Sequence, residues 1–114
     1  MSVVIYHNPR CSKSRATLAL LRERGVEPEI IEYLKTPPSE SELDRILIML
    51  DKEPEDLMRK SEADFKAHIR GKSLSRAQAI ALMVNYPIVI ERPIVINGAH
   101  AAIGRPPENV LQII

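Results

Sequence analysis

Ile5-Tyr6-His7-Asn8-Pro9-Arg10-Cys11-Ser12-Lys13-Ser14-Arg15 is the stretch on which the fold turns. An apolar run, Val3 to Tyr6, leads into a turn containing Pro9, and a helix-patterned segment begins directly after the only cysteine of the chain. A thiol between the end of a strand and the start of a helix sits where backbone N–H groups and the helix dipole stabilise negative charge. That placement favours thiolate over thiol and lowers the pKa. A lone cysteine is more often a small buried hydrophobe. Arg10, Ser12, Lys13 and Arg15 are poor company for a core position, so Cys11 reads as a poised nucleophile. His7, four positions before the thiol, titrates near neutrality and is read as a charged neighbour that lowers the Cys11 pKa. Asn8 is read as ordering the loop through side-chain hydrogen bonds.

Outward from this loop, Val3 to Tyr6 is a short buried strand, and Ser12 to Arg24 is a helix that stops at Gly25. Glu29 to Tyr33, around Ile30 and Ile31, is a second strand, so the first third is a βαβ unit. Thr36-Pro37-Pro38 punctuates the chain. Ser39 to Glu42 fits a capping box, and Leu43, Ile46, Leu47 and Leu50 recur at helical spacing. Glu53 to Asp56 starts another short helix that runs through Leu57 and Met58 and ends near Arg59-Lys60, and residues 61–73 are polar and weakly patterned, with Phe65 and Ile69 inward. Ser75 to Gln78 is a second capping box, opening a helix that ends at Asn85-Tyr86-Pro87. Pro93 to Ile96 and Ala101 to Ile103 flank Asn97-Gly98, a hairpin signal. Pro106 and Pro107 mark the boundary of a closing helix, Val110 to Ile114. The expected architecture is α/β. It is a thioredoxin-like fold whose mixed β-sheet carries a helical insert, about 39–86, between β-α-β and β-β-α halves.

Composition bounds the rest. A chain of 114 residues makes one domain able to bury a core without staples. One cysteine makes no intramolecular disulfide, which suits a reducing compartment. No signal-like start or membrane-length apolar run is present, so a cytoplasmic protein without membrane association is expected. A net charge of +1, one Phe, three Tyr and no Trp argue against nucleic acid as partner. One cysteine and three scattered histidines give no metal-ligand spacing, so no metal is expected. A cysteine-phosphatase loop needs C-x5-R, and the sixth residue after Cys11 is Thr17.

The loop and layout together resemble the glutaredoxin-coupled arsenate reductases, the ArsC family within the ArsC/Spx group. His7-Asn8-Pro9-x-Cys11-x-x-Ser14-Arg15 looks like the nucleophile loop of that family, and Glu29-x-x-Glu32-Tyr33-Leu34-x-Thr36-Pro37-Pro38 is similar to its second strand and following turn. Leu57-Met58-Arg59-Lys60, Glu91-Arg92-Pro93-Ile94-Val95 and Gly104-Arg105-Pro106-Pro107-Glu108 look like the segments that supply three anion-binding arginines. Arg10, Ser12 and Lys13 stand where plasmid-type enzymes have small or neutral residues, which brings the chain closer to short chromosomal, YfgD-like members.

The resemblance implies an enzyme in which the Cys11 thiolate attacks bound arsenate and glutathione with glutaredoxin regenerates the thiol, giving arsenite. Arg59, Arg92 and Arg105 are its implied oxyanion ligands, with Asn8, Ser14 and Arg15 as further binding positions. Arginine's planar fork suits such an anion. Ser14 occupies the place of a resolving cysteine and forms no disulfide, so turnover takes an external thiol. Arg92–Pro93 is expected to be the cis bond that thioredoxin-like folds place opposite the thiol loop. No bound cofactor is implied, glutathione being the reductant, and a monomer is expected. Two other readings stay open, a thiol-redox adaptor and an Spx-like regulator lacking arsenate reductase activity.

Overall fold

The apolar run Val3-Val4-Ile5-Tyr6 has no polar face to offer water, so it needs a neighbour on each side. In the computed structural model, which describes residues 2–114, it lies between two partners. Contacts divide the described residues into two units. One runs to Thr36 and resumes over Arg92–Ile114, and the other is Pro37–Glu91.

The first unit contains β1 (Val3–His7), α1 (Ser12–Glu23), β2 (Glu29–Glu32), β3 (Ile94–Asn97) and β4 (His100–Ile103). Among the described residues these strands form one mixed sheet in the order β2-β1-β3-β4. β1 pairs parallel with β2, Ile5 opposite Ile30, and antiparallel with β3, Ile5 opposite Val95. A parallel pair needs a crossover, which α1 supplies. Ile5, Leu21, Val95 and Val110 are fully buried together and form the core on which α1 sits. α1 ends in a Schellman motif: Gly25 takes φ +79, its N–H donates to Arg22, and the Val26 N–H donates to Leu21.

Two boundaries differ from the sequence reading. The hairpin loop is Gly98-Ala99, one residue later than expected, with Asn97 paired to His100. Gly98 takes φ +63 at the first loop position, the slot that a type II′ turn gives to glycine. Asn97 stays in the strand, where its side chain donates to the Ile113 carbonyl. The closing segment is a 3-10 helix, Pro107–Gln112, rather than a helix over Val110–Ile114. A three-residue turn puts Val110 and Ile113 on one side, and both pack on the Ile5 core.

The second unit holds α2 (Glu40–Leu50), α3 (Ala63–His68) and α4 (Arg76–Asn85), with 3-10 turns at Pro54–Leu57 and Pro87–Val89. Ser39 with Glu42 and Ser75 with Gln78 form capping boxes. Leu43, Leu47, Leu57, Ile80, Met83 and Val89 are among its buried apolar residues. Met58 bridges Ile90, the Arg59 N–H donates to Val89 at 2.7 Å and the Glu91 N–H to Leu57 at 2.8 Å. Residues 57–59 and 89–91 therefore lie side by side. No helix among the described residues is long and apolar enough to cross a membrane.

One close approach registers the first unit. Thr17 is fully buried; its hydroxyl lies 2.8 Å from the Lys13 carbonyl and 3.3 Å from that of Gly104. A Cβ on Gly104 would meet the Thr17 hydroxyl, the Thr17 methyl at 2.9 Å and Pro93 Cγ at 2.8 Å. Gly104→Ala is expected to lose about 1–3 kcal/mol of stability through overpacking. Because Thr17 supplies two of the three obstructing atoms, Thr17→Ala in the same chain recovers part of that loss in urea melts. Strictly additive losses would contradict this account.

Candidate active site

β1 ends at His7, and the chain reverses over Asn8–Arg10 before α1 starts. The Asn8 carboxamide oxygen accepts the Arg10 N–H at 3.0 Å, and the Asn8 carbonyl accepts the Cys11 N–H at 3.0 Å. Arg15 donates from Nη1 to the Pro9 carbonyl at 2.9 Å, closing the outer side of the loop. Inside, Ser14 Oγ accepts the Asn8 N–H at 3.0 Å and lies 2.6 Å from His7 Nδ1. His7, Asn8 and Ser14 are all buried. Asn8 orders the loop by its side chain, as Asn favours in tight turns.

His7 and Ser14 differ from the expectation. Burial lowers the His7 pKa, opposed by Glu32 across the strand pair and reinforced by Arg15 and Arg22. The ring is therefore held towards its neutral form, with Nδ1 hydrogen-bonded to the Ser14 hydroxyl, and burial works against a cation beside the thiol. The Ser14 side chain is turned inward to His7 and Asn8, so what it offers the sulfur is its backbone N–H.

Cys11 is the N-cap residue of α1, with φ −92° and ψ 123°. Its sulfur makes no short cap bond of the kind a Ser or Asp oxygen would make. The larger atom instead lies where the first-turn N–H groups face it. Burial is the largest single influence on this thiol and opposes ionisation. It is outweighed by the Ser14 N–H, by the hydrogen bond and charge of Arg92, and by the Lys13 N–H. The balance brings the pKa from 9.0 down to about 7. Arg105 adds a donor, its Nη1 lying 3.7 Å from Sγ and 3.2 Å from the Arg92 carbonyl. The Arg92–Pro93 and Arg105–Pro106 peptide bonds are both cis, the second at a proline read from sequence as a simple helix boundary.

The structure thus brings Cys11, Arg92 and Arg105 together within the first unit. Arg59 belongs to the second. There it donates to Glu91 at 2.8 Å and lies 3.4 Å from Glu62, and these carboxylates raise its pKa against the opposing effect of burial. Sequence reasoning missed both acids. The i,i+3 spacing of Arg59 and Glu62 was a readable signal. Glu91 was not, since only the pairing of 57–59 with 89–91 makes it a neighbour.

The ArsC family model matches residues 6–113. The chain belongs to the ArsC family. It is 49% identical over 114 residues to the uncharacterized protein YfgD of Escherichia coli (strain K12), with 98% of this chain and 96% of that protein covered. Identity to an arsenate reductase of Haemophilus influenzae is 46% over 116 residues, covering 100% of each. A solved arsenate reductase from Vibrio cholerae superposes with a TM-score of 0.95 at 50% identity, covering 100% of this chain and 98% of that one. The thioredoxin-like ArsC fold is therefore that of this chain.

Two outcomes follow for this ArsC-family loop. The rate of Cys11 alkylation by iodoacetamide should rise with pH through a midpoint of about 7. Arg92→Ala moves that midpoint upward, and an unmoved midpoint would remove Arg92 from the account. For His7, the unfolded side chain titrates near 6.5 and the folded one lower, so at acid pH the unfolded chain binds the extra proton. The stability that neutral His7 contributes is present above 6.5 and lost as pH falls below it. Acidification to about pH 5 should lower the wild-type Tm more than that of His7→Gln. Equal losses would show that His7 is not the titrating group.

Proposed function

We propose that this protein is a thiol-dependent arsenate reductase in which Cys11 is the nucleophile. The observation that carries the reading is a sulfur ionisable near neutral pH with Arg92 and Arg105 directed at it, in a chain whose relatives include arsenate reductases. The thiolate attacks arsenic, an S–As bond forms, and an As–O bond breaks with its oxygen leaving as water after protonation. Two thiols must be oxidised to one disulfide to deliver the two electrons that take arsenate to arsenite. The chain has one cysteine, so the remaining reducing equivalents come from outside, and glutathione with glutaredoxin is the donor we assign.

Arginine binds the oxygens of such an anion through paired N–H groups. The proposal gives that role to Arg92 and Arg105, and to Arg59 by family resemblance. Arg15, tied to the Pro9 carbonyl, is assigned to keeping the loop closed behind the anion. Ser14 takes part through its N–H. A reductase working on a soluble oxyanion with a soluble thiol fits a cytoplasmic monomer.

The test couples arsenate, glutathione and glutaredoxin to NADPH oxidation and adds a binding readout, protection of Cys11 from iodoacetamide by arsenate. Arsenate-dependent NADPH loss should vanish in Cys11→Ser. Arg59→Ala, Arg92→Ala and Arg105→Ala should each need about tenfold or more arsenate for half-protection, the worth of a charge-assisted hydrogen bond. Fast alkylation near neutral pH with neither turnover nor protection by arsenate would overturn the assignment in favour of a thiol adaptor.

A further inference from the structure

A cavity of about 260 Å³ is lined wholly by residues of the second unit and includes none of the groups assigned to the thiol chemistry. Its floor is apolar. Met58, Ile69 and Ala79 are buried, and Phe65, the only phenylalanine of the chain, is half-buried against the opening. Lys60, Arg70 and Lys72 stand on its rim, exposed, and none forms an ion pair among the described residues. Arg76 also reaches the rim, but Asp44 at 2.8 Å and Glu53 at 3.7 Å already neutralise it. That leaves Glu55 as the one carboxylate of the lining facing three uncompensated cations.

This combination is selective. A hydrocarbon floor rewards an apolar body, while an inorganic anion would gain only solvent-screened contacts with the rim. A neutral aromatic molecule would fill the floor and leave the cations unanswered. Only a molecule carrying both parts uses the whole surface, which is the usual composition of a ligand pocket, apolar walls with a few polar groups that fix orientation. The lining contains no cysteine, histidine or serine other than Ser75, whose hydroxyl caps α4 by accepting the Gln78 N–H.

We propose that this cavity is a binding site for a small amphiphilic anion, an aryl or branched-alkyl carboxylate or sulfonate. Its apolar body packs on Phe65, Met58 and Ile69, and its anionic head sits among Lys60, Arg70 and Lys72. Met58 and Lys60 are the two chain neighbours of Arg59, and both line the cavity. An occupant therefore lies against the chain on both sides of Arg59 in sequence, the residue that Glu62 and Glu91 hold. The inference stands on the second unit alone and is independent of what Cys11 does.

The experiment is an amide NMR titration of the intact protein with naphthalene-2-sulfonate, alongside 2-naphthol and sodium sulfate. Saturable shifts at Met58, Gly71 and Lys72 are expected with the sulfonate, and clearly weaker binding with either control. Arg70→Gln and Lys72→Gln, both exposed and compatible with the fold, should each weaken binding about two- to fivefold, the worth of an exposed ion pair. Phe65→Leu should weaken it as well, and Cys11→Ser should bind the probe as wild type does. Absent or unsaturable shifts, 2-naphthol binding as tightly as the sulfonate, or sulfate reproducing the same shifts would overturn the proposal. So would wild-type affinity in both rim variants.

Discussion

A sulfur taken partly out of water stays ionised near neutral pH only if fixed donors replace the water it loses. At Cys11 that replacement comes from two kinds of source. The Ser14 and Lys13 N–H groups belong to the first turn of α1, so their direction is fixed by the helix itself. Arg92 and Arg105 arrive from segments about eighty to ninety residues later in the chain. The βαβ crossover and the antiparallel return of β3 are what convert that separation into contact. The sheet order β2-β1-β3-β4, with β1 between its parallel and antiparallel partners, is thus a condition of the chemistry.

Rigidity behind the thiol is arranged by the same economy of groups. His7, Asn8 and Ser14 are buried polar residues, which are costly unless each finds a partner. They find one another: Ser14 serves His7 Nδ1 and the Asn8 N–H, and Asn8 serves the Arg10 and Cys11 N–H groups. A histidine used in this way works as a neutral bracket. One turn further along the same buried face of α1, Thr17, Gly104 and Pro93 meet too closely for any added atom. That contact fixes α1, which carries Cys11, against the residues immediately before Arg105 and after Arg92.

Much of this was legible in the sequence, and what was not has a common cause. The strand-thiol-helix order, the capping boxes at Ser39 and Ser75 and the Gly25 stop are local signals, fixed by backbone valence within a few residues. The roles of His7 and Ser14 depended on burial, which a motif does not encode, and a histidine near a thiol reads as a cation until its surroundings are known. The hairpin slipped by one residue because Asn97 has a tertiary task, its side chain reaching Ile113. The closing 3-10 helix follows from where Val110 and Ile113 must point. Glu91 beside Arg59 was invisible because it depends on a single antiparallel bridge between Met58 and Ile90.

The three arginines are not equivalent before any anion arrives. Arg92 and Arg105 are spent on the thiolate, whereas Arg59 is spent on two carboxylates. Under the proposed chemistry the first two pass from the sulfur to the oxyanion. When an S–As bond forms, the sulfur loses its negative charge, and the donors that stabilised it are released towards the arsenic-bound oxygens, two bonds from the sulfur. The same groups then serve the nucleophile before attack and the oxyanion after it. Arg59 uses Nε and Nη1 on Glu62 and Glu91 and keeps its Nη2 donors, so in the proposed chemistry the two acids offset its charge without having to be displaced. A monovalent anion gains less from a guanidinium offset in this way than a doubly charged tetrahedral one does. On that proposal, selectivity for charge is assigned to the acids around Arg59, and nucleophilicity to the two arginines on the sulfur.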